Sequence, residues 1–308
     1  MTIGVLIPAY NSALVLGEAI ASVLKQEPCP EQVVVVDDGS TDGTPRVLDS
    51  FSGQVQHIRQ SNRGPSAARN AGLACLQTET VVFLDADDLL LPGALRRRIE
   101  LLQQSGCVWA YTDGWLQTAD MRRELFSSAY RTPARRPVER IFSDLLQGNF
   151  IPTNAVIIRR DVLNALGAFD ERSRWMEDWD LWLRISAQRP VGFDPEPTYI
   201  VRKLGPSLSN NRQAMTDMRY RTLVRIFRLY PTEVLTASWL ARRSVADAHN
   251  AFGYSLAGQG SWAEARPYLR FSVRLWPWQR RAWPLLLRSL LTRSGGTAGV
   301  SLDDRKRP

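Results

Sequence analysis

Three carboxylates stand within four positions, Asp85, Asp87 and Asp88 in FLDADD, directly after the apolar run 81–84. Packed into one cleft, their mutual repulsion raises a pKa or opposes folding, and a divalent cation removes the conflict. Carboxylate oxygens are hard ligands that suit Mg²⁺ or Mn²⁺, and such ions bridge one or two carboxylates to a diphosphate. A solvated acidic turn before the helix that follows Pro92 is the plainer alternative, and the strand-end position argues against it. A second acidic pair, Asp37-Asp38 in VVVVDDGSTDGT, closes another apolar run. A fully buried strand keeps adjacent carboxylates only where they emerge at its end, because an unpaired buried charge is costly. Taken alone, Asp38-Gly39 with Ser40 and Asp42 reads equally as a turn and helix cap.

Two further segments carry polar groups of the right kind. NRGPSAARNAG, residues 62–72, opens a small-residue helix that can pack closely and aim Arg69 at a phosphate-sized anion. By itself it reads more simply as an Ala/Gly helix with one surface arginine. WMEDWDLW, residues 175–182, sets Glu177 and Asp178 at a helix start, where acidic residues suit the dipole and where a base can face a cleft. Trp175, Trp179 and Trp182 offer a face on which an acceptor sugar stacks, although this spacing sends at least one of them into the core. The two histidines, His57 and His249, fall in no motif, and His57 reads as surface or strand packing.

The elements that must position these groups follow from periodicity. Short β-rich runs at 3–7, 33–36, 55–58, 81–84 and 108–112 alternate with helical patterns at 16–26, 44–51, 66–76 and 93–104. That alternation predicts an α/β fold, a parallel sheet covered by helices, with ligands at the carboxyl ends of the strands. Residues 121–137, arginine-rich with Pro133 and Pro137, predict a mobile loop. Order resumes at 154–159, with a helix from Asp161 and a last short strand at 198–201; beyond residue 210 the pattern is helical.

In this order and at this spacing, PAYN at 8–11, VVVVDDGSTDGT, NRGPSAARNAG and FLDADD resemble the family-2 glycosyltransferases of the GT-A fold, over about residues 1–210. Glu177-Asp178 looks like that family's ED motif and completes the set. The resemblance implies a Rossmann-like sheet for nucleotide-diphosphosugars. It implies that Pro8, Tyr10, Asn11 and Asp38 hold the nucleotide, that Arg69 lies near the diphosphate, and that Asp85 lies nearer the ribose. Asp87, with Asp85, is the implied metal site for Mn²⁺ or Mg²⁺, and Asp88 supports either. Asp178 is the implied general base, with Glu177 its nearest competitor. The implied reaction moves a sugar from a donor, UDP-sugar ahead of dTDP or GDP, to a glycan or lipid-linked acceptor with inversion. Such chemistry needs positive charge to meet the leaving diphosphate and a base opposite it to take the acceptor proton.

Other functions fit less well. A sugar nucleotidyltransferase calls for a glycine-rich phosphate loop followed by a basic residue after the first strand, where PAYN stands, and a dinucleotide oxidoreductase calls for GxGxxG. A non-catalytic scaffold acting through the C-terminal helices leaves the intact DADD and Glu177-Asp178 unexplained.

The 308 residues, 44% hydrophobic and 23% charged, suffice for a full core in one or two domains. The net charge of +8 is uneven: residues 1–210 hold 22 Lys and Arg against 25 Asp and Glu, and residues 211–308 hold 17 against 6. No apolar run reaches the roughly 20 residues of a membrane span and the start lacks signal features, so the chain is expected in the cytoplasm. Cys29, Cys75 and Cys107 read as reduced thiols. The domains expected are a catalytic domain at 1–210, a helical region at 211–293 and a disordered tail at 294–308. Within the second, Gly253, Gly260, Trp262, Ala265, Leu269 and Pro277 follow tetratricopeptide spacing near 246–279. Residues 274–293 mix Trp276, Trp278 and Trp283 with five arginines. That suits peripheral contact with an anionic membrane and equally an ordinary helix pair, while a second copy of the chain is a further candidate partner and nucleic acid is not expected.

Overall fold

The computed structural model describes residues 1–130, 135–173, 176–203 and 212–291. The apolar runs form strands β1 (Ile3–Ala9), β2 (Gln32–Asp37), β3 (Gln56–Arg59) and β4 (Thr80–Phe83), with α1 (Leu16–Leu24), α2 (Thr44–Asp49) and α3 (Pro65–Cys75) between them. Val33 to Val36 are at most 6% exposed, as expected where helices cover both faces of a parallel sheet. Close packing at α3 depends on its small residues: a Cβ on Gly72 would stand 2.5 Å from the Leu6 side chain and 3.1 Å from Val36.

The chain continues through β5 (Leu89–Leu90), α4 (Ala94–Ser105), β6 (Trp109–Gln117), β7 (Arg123–Leu125), α5 (Phe126–Ala129), β8 (Val138–Glu139), α6 (Phe142–Leu145), β9 (Val156–Arg159), α7 (Arg160–Leu166), α8 (Glu177–Ser186) and β10 (Val191–Arg202). The sheet order is β3-β2-β1-β4-β9-β6-β10-β5, with β7 on β6 and β8 on β10. The purely parallel arrangement expected holds from β3 to β4; β9 then enters antiparallel to both β4 and β6. The last strand is also longer than the expected 198–201, running from Val191, with register shifts around Pro197 where no N–H is available to the ladder. Part of the expected loop at 121–137 is ordered as β7 and α5, and 131–134 lie outside the described residues.

The described residues up to 241 form one compact unit, which includes α9 (Arg212–Leu229) and α10 (Pro231–Thr236), and those from 242 to 291 form a second. The second unit contains most of α11 (Trp239–Gly258), then α12 (Trp262–Leu275) and α13 (Ala282–Leu291). Its core is small: Ala257, Ala265, Leu269, Val273, Ala282 and Leu286. Gly253 permits the helix approach there, since a Cβ would stand 2.7 Å from Leu269. The tail expected at 294–308 and Trp175 lie outside the described residues. No described helix is long and apolar enough to cross a membrane. Cys29, Cys75 and Cys107 are free thiols.

Candidate active site

The acidic turn sits where β4 leaves the sheet, and β9 explains how it is held. Because β4 and β9 run antiparallel with Val81 opposite Ile158 and Val82 opposite Ile157, the same register carried forward sets Asn154 opposite Asp85. Asn154 Oδ1 accepts the Asp85 N–H at 2.8 Å, and its Nδ2 donates to Asp88. From the other side Arg202, at the end of β10, donates its own N–H to Asp88 at 2.8 Å and its Nε to the Asp87 carbonyl. Asp88 is thus buried and committed to the protein. Burial, then the charges of Asp87 and Asp85, pushes its carboxyl well above the usual range. Asp87 is exposed and makes no ion pair among the described residues. Although the residue reaches solvent, partial desolvation of its carboxyl within the turn, and after it the Asp85 charge, raises its pKa.

Arg69 joins this turn to the second acidic motif. Its NH1 donates to Glu177 Oε1 at 2.6 Å and its NH2 to Asp85 Oδ1 at 2.8 Å, with the guanidinium side chain only 5% exposed. Burial is the largest single effect and lowers its pKa, but the two carboxylates together outweigh it and the net shift is upward, so the cation is fixed in charge and in place. Arg69 is therefore a buried bridge and not the surface arginine that the helix pattern alone suggested. Its Nε is buried without a hydrogen-bond partner among the described residues. Next to Glu177, Asp178 accepts the Trp179 N–H at 2.7 Å and the Asn149 amide at 2.9 Å. Burial, and after it the Glu177 charge, pushes the Asp178 carboxyl up to about 7. Met176 caps α8 in a left-handed conformation, φ 59°, which turns the chain so that both acids open the helix.

The first two strands build the neighbouring loops. Pro8 lies within β1 beyond the last β4 pairing, where its missing N–H costs no ladder bond on that side. Tyr10 is 48% exposed, and Asn11 takes a left-handed φ of 49° while its Oδ1 accepts the Thr41 N–H at 2.8 Å. Asp38 is buried, accepting from Gln60 Nε2 at 2.7 Å and from the N–H groups of Arg63 and Gly64 at 2.9 and 2.8 Å. It therefore shapes the loop that leads into α3. Gly39 permits this turn, since at φ 79° a Cβ would meet the Asn62 nitrogen at 2.8 Å.

The structure thus brings Arg69, Asp85, Glu177 and, by adjacency, Asp178 into one cluster, with Asp87 on its open side. Pro8, Tyr10, Asn11 and Asp38 form a separate group at the ends of β1 and β2. Trp179 and Trp182 are fully buried, donating to the Leu145 and Ile151 carbonyls, and offer no stacking face. Among the described residues no three Asp, Glu, His or Cys converge to enclose a metal. The donor set still fits a hard divalent ion of the kind that protein holds by one or two carboxylates and a diphosphate completes: Asp87 is open, and Asp85 gives Arg69 one oxygen. Asn149, Asn154 and Arg202 escaped the motif reading. Asn154 and Arg202 each left a signal, a polar residue abutting an apolar run that becomes a strand.

Solved structures fix the class of fold. Staphylococcus aureus TarS 1–349, in complex with UDP-GlcNAc, superposes over 94% of this chain and 89% of its own with a TM-score of 0.64 at 20% identity. The Pyrobaculum calidifontis mannosyltransferase PcManGT, in complex with GDP-Man and Mn²⁺, matches 94% of this chain and 86% of its own at 0.52 and 18% identity. The fold is accordingly GT-A-like, a mixed α/β sheet with flanking helices. Residues 4–167 match the model of glycosyl transferase family 2, and the chain belongs to that family. An uncharacterized glycosyltransferase of Nostoc is 36% identical over 190 residues, 59% of this chain and 56% of that protein. The succinoglycan biosynthesis protein ExoO of Rhizobium meliloti is 36% identical over 183 residues, 57% and 53%. The chain thus spans about half the length of these relatives.

Proposed function

We propose that the protein is an inverting glycosyltransferase that moves a sugar from a nucleotide-diphosphate donor, UDP-sugar by preference, to a glycan or lipid-linked acceptor during assembly of a polysaccharide. The observation that carries this reading is the Arg69 bridge, which ties the strand-end Asp85 to Glu177 and so sets the metal-type carboxylates beside a raised-pKa base. Pro8, Tyr10, Asn11 and the Asp38-shaped loop receive the nucleotide. Asp87 and Asp85 would hold Mn²⁺ or Mg²⁺, which when bound supplies positive charge to the leaving diphosphate. Asp178, with a carboxyl pushed up to about 7, takes the acceptor proton as the hydroxyl attacks. The relatives' printed roles support the acceptor class, succinoglycan biosynthesis in the case of ExoO. Exposed Trp278, Trp283, Leu287 and Leu291 beside exposed arginines support peripheral contact with an anionic membrane through the C-terminal helices.

The test is Asp87→Ala. Because its carboxylate makes no ion pair within the described fold, the variant should melt at or above the wild-type temperature and lose Mn²⁺-dependent binding and hydrolysis of UDP-sugars in calorimetric and product assays. Metal dependence equal to wild type in a folded variant rejects the assignment.

A further inference from the structure

Beside the catalytic cluster, and sharing none of its residues, lies a cavity of about 310 Å³. It is bounded by β6, α5 and β10 and by the segment leading to β9. Its walls are aromatic: Tyr111, Phe126, Phe150, Phe193 and Tyr199 line it, with Tyr111 and Phe193 centroids 4.8 Å apart. One cation is set among them. Arg135 lies over the Phe150 ring at 4.2 Å with its side chain 2% exposed, and its NH1 reaches Asp144 at 2.6 Å and Glu139 at 3.5 Å.

What marks this cavity as a site is what its polar groups lack. The Nε and NH2 of Arg135, the hydroxyl of Tyr111 and Oε1 of the flanking Glu139, all buried, have no hydrogen-bond partner among the described residues. Burial pushes the Tyr111 phenol up, so the hydroxyl keeps its proton and can donate. Buried donors are nearly always satisfied, and two groups left open in one cavity mark where a partner binds. Nε and NH2 form one edge of a planar fork that matches a pair of oxygens, either the two on one carbon of a carboxylate or the two on neighbouring carbons of a vicinal diol.

Charge decides between those two. Asp113 lines the cavity, and Glu139 and Asp144 flank Arg135, so the surroundings carry three carboxylates against one guanidinium. An anionic ligand would meet that excess, whereas a neutral ring has hydroxyls for the fork and C–H faces for the aromatic walls. The volume lies at the small end of ligand sites and suits a single ring. Its place suits it too: Phe150 in the wall follows Asn149, which donates to Asp178 at 2.9 Å. Resting on the transferase reading above, we infer that this cavity is the acceptor subsite, in which Arg135 and Tyr111 hold a neutral sugar ring.

The experiment uses the full chain and three probes: the methyl glycosides of glucose, galactose and N-acetylglucosamine, with methyl glucuronide as the charged comparison. Saturation-transfer NMR should show at least one neutral glycoside bound by the wild type. Tyr111→Phe, which removes only the hydroxyl, and Arg135→Met should each weaken that binding about tenfold, the scale of one lost buried hydrogen bond. UDP–Mn²⁺ binding and acceptor-independent UDP-sugar hydrolysis should not change. Should Arg135→Met fail to fold, Tyr111→Phe carries the comparison alone. No neutral glycoside bound, binding indifferent to Tyr111→Phe, or stronger binding of the glucuronide overturns the subsite. Absence of UDP–Mn²⁺ binding with glycoside binding intact instead overturns the transferase reading and leaves the sugar site standing.

Discussion

Arginine is used in opposite ways by the two compact units. In residues 1–241 the guanidiniums of Arg69 and Arg184 are 5% exposed and each is clamped by carboxylate, Arg69 by Asp85 and Glu177, Arg184 by Asp180 at 2.8 Å. In the second unit Arg270, Arg274, Arg280 and Arg281 face solvent and make no ion pair among the described residues, while the exposed Arg288 lies over the Trp262 ring at 4.9 Å. A buried, doubly paired guanidinium can only be a part of the framework, since its charge is already matched and moving it leaves two acids unpaired. An exposed charge without an acidic partner fixes no internal geometry, and its field extends into solvent. Composition counts both kinds alike, so the excess of basic residues after 210 says more about partners than the nearly balanced charge before it says about chemistry.

The largest effect that would sharpen this contrast concerns the acid beside the Arg69 bridge. Asp178→Asn keeps shape and loses basicity, so kcat should fall about 10²-fold or more with donor binding unchanged, and Glu177→Gln should be milder. In the wild type the acidic limb of kcat/KM should lie near pH 7, where the raised carboxyl titrates. Stability carries the same signature. The native carboxyl keeps its proton to about 7 whereas an unfolded aspartate loses it near roughly 4, so between these values the folded state binds the extra proton. This group's contribution therefore declines as pH rises through that window, and the Asn variant should lack the decline in urea melts. A reversed kinetic ranking would transfer the role to Glu177.

Next in size is the bridge itself. Arg69→Met leaves Glu177 and Asp85 facing a buried methionine, and the loss should be about 2–3 kcal/mol by chemical unfolding, the low end for a broken buried pair because Asp85 is 37% exposed. Arg274→Met in the second unit should shift stability by no more than about 0.5 kcal/mol, as exposed substitutions do. Equal losses at both positions would erase the distinction between framework and surface arginines.

How much of this was readable in advance differs by range of interaction. The apolar runs named β1, β2 and β4 because burial on both faces forces continuous hydrophobicity, and the acids at their ends had to emerge where the strands stop. The partners of those acids were not readable. Asn154 meets Asp85 across 69 residues and Arg202 meets Asp87 across 115, through an antiparallel strand and a proline-shifted one whose register no local pattern states. Arg69 was implied near a diphosphate by the motif order, while the Ala/Gly helix taken alone suggests a surface residue, because such a helix does not reveal which carboxylates approach it. The tryptophans of 179 and 182 serve packing, since each indole N–H finds a buried carbonyl.

The smallest effect belongs to the second unit, and it tests whether its exposed charge has a partner at all. On α13 Trp283, Leu287, Leu290 and Leu291 are exposed at helical spacing, and Trp278 before it is 78% exposed. Apolar groups at that spacing among arginines form the pattern of a helix lying in a membrane interface, where aromatic rings settle at headgroup level. Arg280 and Arg281 are exposed between α12 and α13, so Arg280→Gln with Arg281→Gln should leave the small core of Ala282 and Leu286 intact. Each arginine near an anionic surface contributes about 1 kcal/mol, and the double variant should bind phosphatidylserine-containing vesicles about thirtyfold more weakly at low salt, with the difference vanishing at high salt. Neutral phosphatidylcholine vesicles serve as the baseline. If wild type and variant sediment alike with anionic vesicles, the unmatched arginines do not face lipid, and the exposed leucines of α13 are left to pack against protein.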